Sequence, residues 1–187
     1  MHGNDREFNS EGRRALSSPL LAHVLFLVVA GAFSYYFASL YFAKPEWGPC
    51  SLATLIQGKG NTPFQYRALV PWIVGWAARH VLPLPGIGTP QGLAFVIEIA
   101  STFALLVAFR YYLGFFFRGA ALGTLLAFSL VLVLPFNYLL PLHYPFRLAY
   151  DIPSVLVFTL GLILIYRRSW LWYYILFVVG TFNRETT

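Results

Sequence analysis

The chain has 187 residues, 58% hydrophobic and 11% charged, with 13 Lys and Arg against 7 Asp and Glu for a formal charge of +6. A mean hydropathy of +0.65 exceeds what the core of a water-soluble domain this long requires, which excludes an ordinary soluble enzyme. The positive charges stand in ones and twos among aromatics, which argues against nucleic acid, and the lone Cys50 excludes an intrachain disulfide and a multi-cysteine metal centre.

Residues 1–18 are polar and read as a cytoplasmic tail carrying Arg13 and Arg14. The apolar run that follows, Pro19 to Phe42, is too long for a signal-peptide core and reads as a retained first helix. Next comes Ala68 to Leu84, with Pro71 inside it, Arg79 and His80 interrupting it, and a cluster of Pro83, Pro85, Gly86 and Gly88 closing it. Further runs cover Gly92 to Leu113, Ala120 to Pro141, Ile152 to Tyr166 and Trp170 to Phe182. The stretch from Ala120 to Leu134 shows no polar alternation, which rules out a β-barrel. The fold class expected is therefore all-α, a polytopic transmembrane helical bundle built as a single domain over residues 19–187.

Charge asymmetry orients this bundle. If every run spanned, Arg110, Arg118, Arg167 and Arg168 would fall outside, against the bias of short loops toward cytoplasmic Lys and Arg. If the run from Ala68 instead lies on the membrane, residues 44–91 form one external loop carrying an interfacial helix, and both arginine-bearing turns become cytoplasmic. This predicts about five spans plus one interfacial helix, with the amino terminus cytoplasmic. It also predicts that Glu46, Arg67, Arg147, Asp151, Arg184 and Glu185 share the extracytoplasmic face.

Each of these polar residues has a structural and a chemical reading. Asp151, just before Ile152 and Pro153, suits a helix N-cap, and a carboxylate at a membrane helix end near Arg147 equally suits a cation or a proton. Asn183, Arg184 and Glu185 close an aromatic run shorter than a bilayer crossing, so they read either as a headgroup-level terminus or as recessed groups lining a cavity. Arg67 reads as a contact to lipid phosphate or to the phosphate of a substrate, which its fork of donors suits equally. Glu46 is the acid of the first external loop and hence its candidate base. Glu98, within the run from Gly92, pairs with a helix neighbour or with a partner chain. Tyr35, Tyr36, Trp170, Trp172, Tyr173 and Tyr174 read as an interface belt.

The series Tyr66-Arg67-Ala68-Leu69-Val70-Pro71, then Arg147-Leu148-Ala149-Tyr150-Asp151-Ile152-Pro153, then Asn183-Arg184-Glu185-Thr186 resembles the amino-terminal part of the multi-spanning C-type glycosyltransferase superfamily. More closely it resembles uncharacterised bacterial membrane proteins with these motifs. The similarity covers most of residues 42–187 through short motifs. The resemblance implies transfer of a sugar from a polyprenyl-phosphate donor at the extracytoplasmic face of the inner, plasma membrane, often with a divalent cation, magnesium or manganese. It implies Glu46 and Asp151 as catalytic carboxylates, Asp151 also as the metal ligand, and Arg67, Arg147, Asn183, Arg184 and Glu185 as substrate-binding groups. This first loop carries Glu46 where the family carries an aspartate, and a chain ending at Thr187 reads as the front part of such an enzyme. The alternative is a small non-enzymatic membrane subunit that packs with the transmembrane helices of a partner.

Overall fold

The computed structural model describes residues 19–62, 66–80, 88–140 and 146–183. Arg184, Glu185 and the tail 1–18 lie outside the described residues. Helix α1 spans Pro19–Phe42, as the first apolar run requires. A 3-10 turn at Gly48–Cys50 leads into the short helix α2, Leu52–Ile56, capped by Ser51, whose Oγ accepts from the amide of Thr54 at 3.3 Å. Helix α3 is Leu69–His80. Pro71 is tolerated there because it falls in the first turn, where an amide has no partner inside the helix. Helix α4, Pro90–Leu113, opens on Thr89, whose Oγ1 accepts from Gly92 N at 3.0 Å, with proline in the first turn.

The apolar run from Ala120 is divided at Phe128 into α5, Ala120–Ala127, and α6, Ser129–Tyr138. Phe128 keeps near-helical angles, and Val131 N bonds back to Phe128 O at 3.0 Å, so the chain tightens by one turn without reversing. Helices α7, Asp151–Tyr166, and α8, Trp170–Thr181, complete the order. A tight turn joins these two. Ser169 N bonds to Leu164 O and Arg168 N to Ile165 O, both at 2.9 Å, with Arg168 at a φ of 55°, which is a Schellman ending.

All regular structure among the described residues is helical, apart from one isolated bridge between Glu46 and Arg147. Helix α4 is central and touches α1, α3, α5 and α7, while α8 packs on α7. One core cluster joins Phe37 and Tyr41 of α1, Leu105 of α4, Leu134 of α6 and Ile152 of α7. A second joins Phe26, Ala30, Leu106 and Ala127. A third gathers Cys50, Leu52, Leu55, Val70, Val74, Ala94, Leu148 and Tyr150, so α2 and α3 pack onto one end of the bundle.

The outside of this bundle is as apolar as its inside. Leu20, Leu132 and Leu171 are 73, 75 and 70% exposed, and α8 buries none of its residues. Continuous exposed apolar surface on this scale belongs in hydrocarbon. Among the described residues, three segments are long and apolar enough to cross a membrane: Leu20–Phe42, Pro90–Leu113 and Ala121–Tyr138. The shorter apolar helices α7 and α8, of 16 and 12 residues, measure about 24 and 18 Å at the helical rise. Helix α3 buries Val70, Pro71, Val74 and Gly75 and turns Trp72, Ile73 and Trp76 outward, so both of its faces are apolar or aromatic.

Candidate functional site

The polar residues singled out in the sequence, as far as they are described, collect at one end of the bundle. Cross-bonds between helix ends place them there. Lys44 Nζ donates to Tyr138 O at 2.6 Å, tying the chain after α1 to the end of α6. Arg147 N donates to Pro45 O at 3.0 Å, bringing the segment before α7 alongside the one after α1. Leu69 N donates to Phe182 O at 2.9 Å, setting the start of α3 beside the end of α8. At the opposite end, Phe115 and Phe116 meet Tyr166 at ring-centroid distances of 4.4 and 5.4 Å.

Glu46 and Arg147 form an ion pair through Oε1 and Nη2, and the second Glu46 oxygen accepts from Leu52 N at 3.1 Å. The Arg147 guanidinium stands 3.8 Å from the Phe42 ring centroid and is 9% exposed. Both residues therefore serve to clamp the first connecting segment to the start of α7. Burial leaves this arginine little alternative partner, and its fork suits a carboxylate held in place by a backbone amide.

Asp151 is the first residue of α7 rather than its cap. Tyr150 holds the cap position, and no side chain caps the helix there. The carboxylate turns instead toward α1, where Tyr41 donates to Oδ2 at 3.0 Å while accepting from Leu148 N at 3.0 Å. Tyr41 was not distinguishable in sequence from the belt aromatics around it; only a contact across more than a hundred residues gives its hydroxyl a task. An acid in the first turn remains favourable for the helix dipole.

Asn183, 1% exposed, donates through Nδ2 to Tyr150 O at 3.2 Å and to Ser154 Oγ at 2.8 Å, which fastens the end of α8 to the start of α7. Its Oδ1 is buried without a hydrogen-bond partner among the described residues. Arg67 lays its guanidinium over the Tyr150 ring at 4.8 Å. Its charge also acts on its neighbours: burial pushes the Tyr150 phenol and the Cys50 thiol up, and Arg67 pulls both back. Burial pushes the Lys44 ammonium down.

Behind this row sits Glu98 on α4, 1% exposed, within electrostatic reach of Asp151 and Arg147. Its Oε1, and Thr102 Oγ1 one turn further along, are buried without hydrogen-bond partners among the described residues. Glu98 was visible in sequence as a membrane carboxylate, but nothing local linked it to residues some fifty positions away. Among the described residues no group of three or more His, Cys, Asp or Glu side chains converges.

A cavity of about 710 Å³ opens beside the cluster. Arg67, Ser154 and Thr181 line one end, and Val157, Phe158, Gly161, Leu162, Ile165, Tyr173, Leu176 and Phe177 line its length between α7 and α8. The chain gives no match to family models, to curated proteins or to solved structures.

Proposed function

We propose that this protein is a glycosyltransferase-like enzyme of the bacterial inner membrane, which moves a sugar from a polyprenyl-phosphate donor to an acceptor hydroxyl at the extracytoplasmic face. The amino terminus is cytoplasmic, and the end of the bundle bearing Arg67, Asp151 and Asn183 faces outward. The observation that carries the proposal is the convergence of Arg67, Arg147, Asp151 and Asn183, from three separate segments, on the first turn of one helix. Arg67 also lines the cavity beside this cluster, and Asp151 supplies a carboxylate at the start of α7.

In this assignment Asp151 takes the proton of the acceptor hydroxyl, and the acceptor oxygen forms its bond to the anomeric carbon. The bond from that carbon to the phosphate oxygen breaks, the polyprenyl phosphate leaves with the electron pair, and Arg67 stabilises the charge that develops on it. Glu46, engaged with Arg147, positions that arginine and passes the base role to Asp151. A divalent cation, magnesium or manganese, would be held by Asp151, since such ions take one or two carboxylates together with phosphate oxygens. Such an ion, when bound, supplies charge neutralisation at the phosphate.

The test is consumption of a panel of polyprenyl-phosphate-linked sugars by the protein reconstituted in liposomes. Asp151→Asn is expected to slow transfer by about 100-fold or more. Equal turnover by wild type and Asp151→Asn, or none by either, removes the assignment. One observation favours the non-enzymatic alternative: α8 buries none of its residues, as a helix awaiting a partner's helices would. A native-gel mass exceeding the protein and its detergent, combined with no turnover, would select that alternative.

A further inference from the structure

We propose that Glu98 and Thr102 of α4 form a buried binding site for a monovalent cation, sodium, held between Glu98 Oε1 and Thr102 Oγ1. The site does not depend on sugar transfer, and its ion is distinct from the divalent one assigned to Asp151.

The two residues stand one turn apart on the same buried face of α4, 1 and 0% exposed. Glu98 lies inside a spanning segment, about 12 Å along the helix axis from Pro90. A carboxylate at that depth, away from water, requires a compensating charge. A partner chain was one source of that charge open in the sequence, and burial of Glu98 within its own chain removes it. Arg147 is within electrostatic reach, but its guanidinium is bonded to Glu46 and laid over the Phe42 ring. Glu98 itself forms no ion pair among the described residues. Asp151 and Tyr41, also within reach, are an acid and a phenol and bring no positive charge.

Thr102 supplies an independent observation. Helix hydroxyls in this bundle donate to the carbonyl four residues back: Ser34 to Ala30 O at 2.7 Å, Ser39 to Tyr35 O at 2.8 Å, Ser154 to Tyr150 O at 2.7 Å and Thr159 to Val155 O at 2.9 Å. Thr102 has Glu98 O in the corresponding position, yet its Oγ1 is buried and makes no hydrogen bond among the described residues. Glu98 Oε1, one turn before it, is in the same condition. Two hard oxygens are thus left to one ligand in an otherwise satisfied helix.

Three ligands answer that description in part. A proton on Glu98 removes the charge, but Oε1 and Oγ1 make no hydrogen bond to each other, as sharing that proton requires. A water bridges the two oxygens and leaves the charge uncompensated. A cation does both, because oxygens that do not bond to each other can each stand about 2.3–2.6 Å from one ion, as they do around calcium. Magnesium keeps several waters, which a face this buried does not admit, and a single carboxylate matches a single positive charge.

The experiment follows the thermal unfolding midpoint of the full chain in detergent, with a chelator of divalent ions present, as sodium chloride replaces choline chloride at constant ionic strength. The midpoint is expected to rise with sodium, and beyond half-saturation to keep rising with the logarithm of its concentration. Glu98→Gln should abolish the response. Thr102→Val should need about ten-fold more sodium for the same shift, while Thr102→Ser, which keeps a hydroxyl, should respond as wild type does. Equal midpoints in sodium and choline would overturn the site and leave the proton or the water in its place. An undiminished response in Glu98→Gln or in Thr102→Val would overturn it as well, by placing the ion elsewhere. Where Glu98→Gln does not fold, the wild-type comparison and Thr102→Val decide the matter, and neither readout requires turnover.

Discussion

Tyr41 shows how one hydroxyl joins distant segments. It accepts from Leu148 N and donates to Asp151 Oδ2, both at 3.0 Å and in buried or half-buried surroundings. Tyr41→Phe keeps the packing and leaves that amide without its partner, so a loss of about 1–3 kcal/mol is expected, read as a lower unfolding midpoint in detergent. Arg147→Gln should cost at least as much, roughly 3 kcal/mol, because it strands the Glu46 carboxylate beside a buried surface. Glu46→Gln should cost a similar amount, since an amide whose oxygen keeps Leu52 N turns its NH2 toward the buried Arg147 guanidinium. Alkali should weaken this end of the molecule. Burial keeps the proton on Cys50 and Tyr150 in the folded chain at a pH where the unfolded chain has released it. Stability is thus intact at neutral pH and falls as pH rises past the ordinary thiol value of 9.0 and then the phenol value of 10.0. Cys50→Ala should remove the earlier part of that decline, which a series of thermal melts from about pH 7 to pH 10.5 would reveal.

The pairing of α7 with α8 is set by its two ends. At the turn, Arg168 adopts a φ of 55°, a conformation that costs a side-chain-bearing residue about 1–2 kcal/mol. Arg168→Gly is therefore expected to stabilise the protein by about 1 kcal/mol, visible as a raised unfolding midpoint. At the far end the effect reverses. Gly180→Ala drives a methyl into Val157, whose branched side chain has little freedom to turn away, so a loss of about 1–3 kcal/mol is expected. Because Asn183 and Phe182 follow directly, the same change should loosen their bonds to Tyr150 and Leu69, giving faster amide exchange at Leu69. The Ala120 run, expected as one helix, is interrupted at Phe128 although no proline or glycine stands there. Local composition offers no reason for that break.

At the scale of the whole molecule, the ends of α1, α6 and α8 and the starts of α3 and α7 meet at one pole, and the turns after α4 and α7 meet at the other. If the bundle sits in the membrane as proposed, single cysteines at Arg79, Arg118 and Arg168, in a chain with Cys50 replaced by Ala, should divide by pole. Labelling by an impermeant maleimide added to intact cells is expected at position 79 and absent at 118 and 168. The reverse pattern would turn the bundle over and remove access of the Asp151 end to the outer face.

The sequence alone was sufficient for the all-α class, for the bounds of the first helix and for the gathering of most candidate polar residues near loop ends. Those features follow from hydropathy and from local breakers, which act within a turn or two. It also singled out Arg67, Arg147, Asp151 and Asn183, because a charge or an amide stands out against an apolar background. Only the tertiary structure decided what these groups touch. Asp151 reaches Tyr41 instead of capping its own helix, Glu46 is held by Arg147, and Glu98 is buried within electrostatic reach of Asp151. The reason is that such pairings depend on which helix ends meet in space. A hydrophobic period records which side of a helix is buried, and it carries no record of the partner that buries it.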